Sequence, residues 1–139
     1  MRCNIIDKTT KHPYRAHDGD AGWDVLSCED YVLQPGERHQ FKLGVALEVS
    51  AHEFILVSER SGMAINYGVH SIGNIIDSNY RGEISIILLN SGSEPFEIKK
   101  GDRIGQLMVM QLGSNNTYLN VDTLSKTERG TAAHYSSGK

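Results

Sequence analysis

Asp77 ends a short apolar run, Ile75-Ile76, and is followed by the turn-forming pair Ser78-Asn79 and then by Tyr80. Short polar side chains favour turns because they bond to nearby backbone groups. Residues 83–89 form a second β-rich run, so the pattern predicts a hairpin with one acid and one aromatic ring near its tip. Such a tip suits a flat, polar-edged ring with a carboxylate poised beside it to take a proton. An Asp at the edge of a turn is also a common turn former, and the residues alone leave both readings open.

Arg60-Ser61-Gly62 offers a guanidinium fork, a hydroxyl and an unencumbered backbone N–H in succession. Arg binds phosphate bidentately, and a helix beginning at Ser61 adds free N–H groups and its dipole. The plainer reading is an Arg on a solvated loop with Ser61 as helix N-cap. Gln106 stands among Ile104, Leu107 and Val109, where its amide needs a partner, either in the core or on a ligand. Asp102 and Arg103 before it read as a surface turn pair. Residues 129–139 combine cations, hydroxyls, glycines and two rings with no apolar pattern. They read either as a segment that orders over a polyanion or as a disordered terminus. The 6 His are scattered and form no metal constellation. There is no Gly-x-Ser-x-Gly elbow, no P-loop and no Cys/His pairing at catalytic spacing.

The elements that must hold these residues are short. Strand patterns fall at residues 2–6, 21–27, 39–49, 54–57, 96–98 and 104–112, besides the two arms of the hairpin. Leu43, Val45, Leu47 and Val49 share one face of the third run. Residues 58–67 are the best helix candidate, residues 7–20 read as loop, and residues 118–121 as a last short strand. Many short strands between turn signals, with almost no helix, predict a closed all-β domain of barrel or jelly-roll type. The expected organisation is a single domain, 1–139, with a β core over 1–112 and a C-terminal strand and mobile arm over 113–139.

At 139 residues and 15.4 kDa the chain suits one such domain. A formal net charge of −3 gives no bulk attraction to nucleic acid or to an anionic membrane. No apolar run reaches the roughly 20 residues that span a bilayer, and Met1-Arg2-Cys3-Asn4 lacks the apolar core of a signal peptide. The expectation is therefore a cytoplasmic protein, or one inside a host cell if virus- or phage-encoded. Cys3 and Cys28 have no metal-ligand spacing and read as buried packing residues in a reducing compartment.

Taken in order, these segments resemble the five motifs of the trimeric deoxyuridine triphosphate nucleotidohydrolases, the dUTPases. Ala21-Gly22-Trp23-Asp24 resembles the first motif, Arg60-Ser61-Gly62-Met63-Ala64 the second, and Ile76-Asp77-Ser78-Asn79-Tyr80-Arg81-Gly82 the third. Gly101-Asp102-Arg103-Ile104-Gly105-Gln106-Leu107 resembles the fourth, and Arg129-Gly130 with Ser136-Ser137-Gly138 the fifth. Any one motif is weak, but five in order over nearly the whole chain are specific.

The resemblance implies a β-clip or jelly-roll protomer in a homotrimer with active sites between subunits, and no direct nucleic-acid or membrane partner. It implies that dUTP binds with its uracil on the third motif, near Asn74 and Ile76, and with its deoxyribose against Tyr80. Asp77 would be the general base for a water attacking the α-phosphate. Arg60, Ser61, Gly62 and Gln106 would hold the phosphates, and Mg²⁺ would ride on them with Asp24 behind its waters. The arm would close over the nucleotide, Arg129 on the terminal phosphate, with His134, Ser136 and Ser137 contributing.

Departures from the pattern fall at Asn74, where the family usually has Gly, at Glu59 for Pro, and at Asn79 for Asp. A fourth departure, in the tail, puts Ala133-His134-Tyr135 where the family has Gly-Phe-Gly, so that His134 or Tyr135 would cover the uracil. Two alternatives share the scaffold: a dUTP-binding regulatory protein and a dCTP deaminase-type enzyme.

Overall fold

The computed structural model describes residues 1–113 and 119–127. Arg129, His134, Ser136 and Ser137 lie outside the described residues, as does Tyr118.

Alternating apolar and polar residues build antiparallel strands, since successive side chains face opposite sides of a sheet. In chain order the strands are β1 (Arg2–Ile5), β2 (Trp23–Leu26), β3 (Tyr31–Leu33), β4 (Arg38–Lys42), β5 (Val45–Glu48) and β6 (Glu53–Ser58). Helix α1 (Ser61–Tyr67) follows, then β7 (Val69–Ile72), β8 (Ile75–Ile76), β9 (Ser85–Asn90), β10 (Phe96–Ile98) and β11 (Arg103–Gln111). They pair as a four-stranded sheet β2-β11-β6-β8, a three-stranded sheet β4-β9-β7, and the pairs β1-β5 and β10-β3. This is the all-β, jelly-roll-like architecture expected. Among the described residues no helix is long and apolar enough to cross a membrane.

The core lies between the sheets. Phe41, Leu88 and Leu107 are fully buried, with Ile55, Val57, Ile84, Ile86 and Val25 packed among them. Truncating one of these to Ala removes about 2–5 kcal/mol of stability.

Leu43, Val45, Leu47 and Val49 do share one buried face. The continuous strand expected over 39–49 is nevertheless two strands, because Gly44 takes a left-handed φ of 67° between them. Added there, a Cβ would lie 2.9 Å from Cys28 Sγ and from Asp7 Cβ, so only glycine fits.

The expected hairpin is also corrected. Ile75 and Ile76 pair with Leu56 and Ile55 of β6, whereas β9 pairs with β4 and β7. After Ile72, Gly73 turns at φ 70° and carries the chain out of one sheet into the other. It returns at β9, which runs between β4 and β7. Local pattern marks the two β runs but not their partners, which the facing apolar surfaces select.

β3 and β7 escaped the sequence reading. β3 has three residues and β7 carries His70 and Ser71, so neither shows a clear apolar alternation. Leu119 and Val121 form no strand and are 74% and 55% exposed. Both cysteines are free and only half-buried, not fully buried as expected; burial still pushes both thiols up from their ordinary value.

Candidate active site

Register places the first set of polar residues. Gln106 of β11 stands opposite Asp24 of β2 on one side and Ser58 of β6 on the other. Its Nε2 donates to the Glu59 carbonyl at 3.2 Å. A Cβ on the buried Gly22 would come within 2.6 Å of Gln106 Oε1, so glycine there makes room for the amide. The partner that Gln106 needed is thus partly in the protein.

Two guanidinium groups converge on Asp24. Arg103 Nη1 lies 3.2 Å from Oδ2, and Arg60 Nε lies 3.8 Å from Oδ1. Arg60 also donates to the Arg103 carbonyl at 3.4 Å. Asp24 is well covered, with 16% of its side chain exposed, and its two neighbouring cations leave the cluster net positive. Arg103 is therefore no plain surface turn residue; it opens β11, and the cross-strand neighbour is the cause, which a turn signal cannot reveal. Asp102 does serve the turn, accepting from Lys99 N–H at 2.8 Å.

Helix α1 begins at Ser61, as the anion-binding reading required, but Arg60 and not Ser61 holds the N-cap position. Ser61 and Gly62 occupy the first turn, whose N–H groups have no acceptor within a helix. Both are exposed. A Cβ on Gly62 would meet nothing within 4 Å among the described residues, so their packing does not demand glycine there.

A second set lies at the turn after β8. Tyr80 N–H donates to the Asp77 carbonyl at 3.1 Å, closing the turn. Arg81 clamps it from outside, donating to the Ser78 and Tyr80 carbonyls at 2.6 and 2.9 Å. The Tyr80 hydroxyl donates to the Glu83 carbonyl at 3.2 Å. Asp77 and Tyr80 flank a pocket of about 190 Å³ between β8 and β9, with Ile76 and Ser85 in its wall. An adjoining hollow of about 520 Å³ runs past Asp77 to Phe54 and Leu112. Asn74 accepts from Val57 N–H through its backbone at 2.8 Å, and its side-chain Oδ1 is buried without a partner among the described residues.

The two sets are far apart in one chain. Ile76 pairs with Ile55, so Asp77 lies level with Phe54 at the start of β6, while Arg60 follows its far end. Six residues at roughly 3.3 Å each put the two backbones at most about 20 Å apart. The structure brings together Asp24, Arg60 and Gln106, and separately Asn74, Ile76, Asp77 and Tyr80.

Residues 8–138 match the dUTPase family model. The chain belongs to the dUTPase family. It is 43% identical over 120 residues to the dUTPase of Zymomonas mobilis, covering 85% of this chain and 82% of that one. Its identity to the Clostridium tetani dUTPase is 34% over 141 residues, covering 100% and 97%. The solved structure of the Staphylococcus bacteriophage 80alpha dUTPase with dUpNHpp superposes with a TM-score of 0.90 at 25% identity, covering 99% and 98%. A mutant dUTPase of phage phi11 of S. aureus, described with a structural Mg(II) ion, shares the fold at TM-score 0.82 and 21% identity, covering 90% and 98%.

Among the described residues of this dUTPase-family chain, no three His, Cys, Asp or Glu side chains gather into a metal cage. Both Asp24 oxygens face guanidinium groups, so neither is free to ligate a cation directly.

Proposed function

We propose that the protein is a dUTP diphosphatase, hydrolysing dUTP to dUMP and pyrophosphate. The observation that carries the reading is the locked turn holding Asp77 and Tyr80 at the mouth of a pocket sized for a small ring. Uracil enters against Ile76 and Asn74, and Tyr80 packs on the deoxyribose, where a 2′-hydroxyl would crowd it. Asp77 is exposed, so it can hold a water by hydrogen bond. It takes the proton as the water oxygen bonds to the α-phosphorus; the bond from that phosphorus to the bridging oxygen breaks, and pyrophosphate leaves.

Arg60, Ser61, Gly62 and Gln106 hold the phosphates and stabilise the charge that develops on them. Room for a Cβ at Gly62 supports this, since close approach of a phosphate would explain the missing side chain. Mg²⁺ carried on the phosphates, with Asp24 behind its waters, supplies further charge neutralisation when bound. Arg129, His134, Ser136 and Ser137 are assigned to closing over the nucleotide.

At roughly 3.3 Å per residue, the length of β6 sets Asp77 too far from Arg60 for one chain to serve base and phosphates together. This spacing supports a site assembled between subunits, in the homotrimer that the family resemblance implies. Pyrophosphate release with Mg²⁺ tests the reading, comparing dUTP with dCTP, UTP and dTTP. Turnover of dUTP alone supports it; deamination of dCTP, or tight dUTP binding without turnover, would replace it.

A further inference from the structure

We propose that Glu59 is a positioning residue: its carboxylate clamps Ser71, and this holds the Glu59 carbonyl where it orients the Gln106 amide and steadies Arg60 beside it. The inference rests on the reading of Arg60 and Gln106 as phosphate ligands.

Ser71 is buried, at 7% exposed, and its hydroxyl and backbone N–H donate to Glu59 Oε2 at 2.6 and 3.2 Å. β7 is an outer strand of its sheet, so the carboxylate takes the place of a further strand as acceptor. The same residue's carbonyl accepts from Gln106 Nε2 in the other large sheet. Glu59 thus ties two sheets together one residue before Arg60.

The tie decides how Gln106 faces. A carbonyl only accepts, so the amide must turn its nitrogen toward Glu59, and Oε1 then lies over Gly22. One Nε2 hydrogen is used there; the other remains to donate to an anion. Were the Glu59 carbonyl to move, the amide could rotate and present an oxygen to the phosphates, which repels them. Hydrogen bonding from Ser71 also holds the Glu59 carboxyl below its usual range, keeping it charged and able to accept both donors at neutral pH.

The test is a double-mutant cycle with Glu59→Ala and Ser71→Ala, reading affinity for dUpNHpp and for deoxyuridine, which has no phosphates. Each single variant should weaken dUpNHpp by about tenfold, the scale of a hydrogen bond to a charged group, and leave deoxyuridine unchanged. The double variant should be no worse than Glu59→Ala, and Glu59→Gln, which keeps an acceptor, should recover part of the loss. Equal weakening of both ligands would mean general destabilisation and overturn the proposal. Losses that add in the double variant would overturn it too, because the residues would then act independently. Wild-type protein that binds deoxyuridine but gains nothing from the phosphates would remove it as well. If Glu59→Ala does not fold, Ser71→Ala and Glu59→Gln carry the test. Failure of dUTP hydrolysis is read separately, in the pyrophosphate assay.

Discussion

The ring of Tyr80 folds back onto Gly82, so closely that a Cβ on Gly82 would overlap the phenol. Glycine is present for the ring and not for the backbone, since Gly82 is absent from the residues of left-handed φ. Gly82→Ala should therefore push Tyr80 off the sugar side of the pocket. We expect kcat/KM for dUTP to fall by at least tenfold and discrimination against UTP to weaken, with little change in unfolding midpoint because the site is on the surface. Steady-state kinetics on both nucleotides would check this; an unchanged dUTP:UTP ratio would take the sugar away from Tyr80.

Asp77 and Arg60 make a complementary pair of lesions. Asp77→Asn should lower kcat by about 10²–10⁴, the usual scale for a general base, and leave dUpNHpp affinity within a few-fold. Arg60→Ala should be inactive through lost phosphate binding. If each site joins two chains, mixing the two unfolded variants and refolding them together should regain activity, because some sites receive neither lesion. Pyrophosphate release by the mixture is the measurement, and activity no greater than the sum of the separate variants would place base and phosphate ligands in one chain.

Gly105 sits on β11 where a Cβ would come 2.5 Å from Ile86 Cδ1 and 3.0 Å from the Ser58 carbonyl. Ile86 is fully buried and has little space to retreat. Gly105→Ala should thus destabilise the fold by about 1–3 kcal/mol, the usual range for overpacking a core. Urea unfolding should show the loss as a lower midpoint with an unchanged slope.

Tyr31 and Glu37 should register in stability against pH. The Tyr31 hydroxyl, 2.5 Å away, holds the Glu37 carboxyl below its ordinary 4.5, helped by Gln34 N–H, while the same bond raises Tyr31 above its ordinary 10.0. A carboxyl whose pKa is depressed on folding adds stability above its unfolded value, and the gain is lost as pH falls through the folded one. The tyrosine works oppositely: its contribution is complete below its unfolded value and is lost as pH rises through the raised one. Tyr31→Phe should accordingly flatten the stability profile below pH 4.5 and above pH 10.0, seen by thermal unfolding across pH. A profile unchanged at both ends would show that the bond contributes nothing.

Much was legible in the sequence because it is local. The buried face of Leu43, Val45, Leu47 and Val49 follows from period-2 alternation alone, and α1 and the turn at Asp77 follow from short-range residue types. Asp77, Arg60 and Gln106 stood out as candidates for the same reason, but their own residues left each reading open and only five contiguous motifs in order pointed to one family. Tertiary structure decided who stands beside whom. β8 joins β6 and not β9, Arg103 reaches Asp24 across strands, and Glu59 reaches Ser71 from another sheet. It also decided that Asp77 and Arg60 lie at opposite ends of β6. Strand pairing is chosen by the burial of whole apolar faces against each other, which is a property of distant segments together. No run of neighbouring residues contains it.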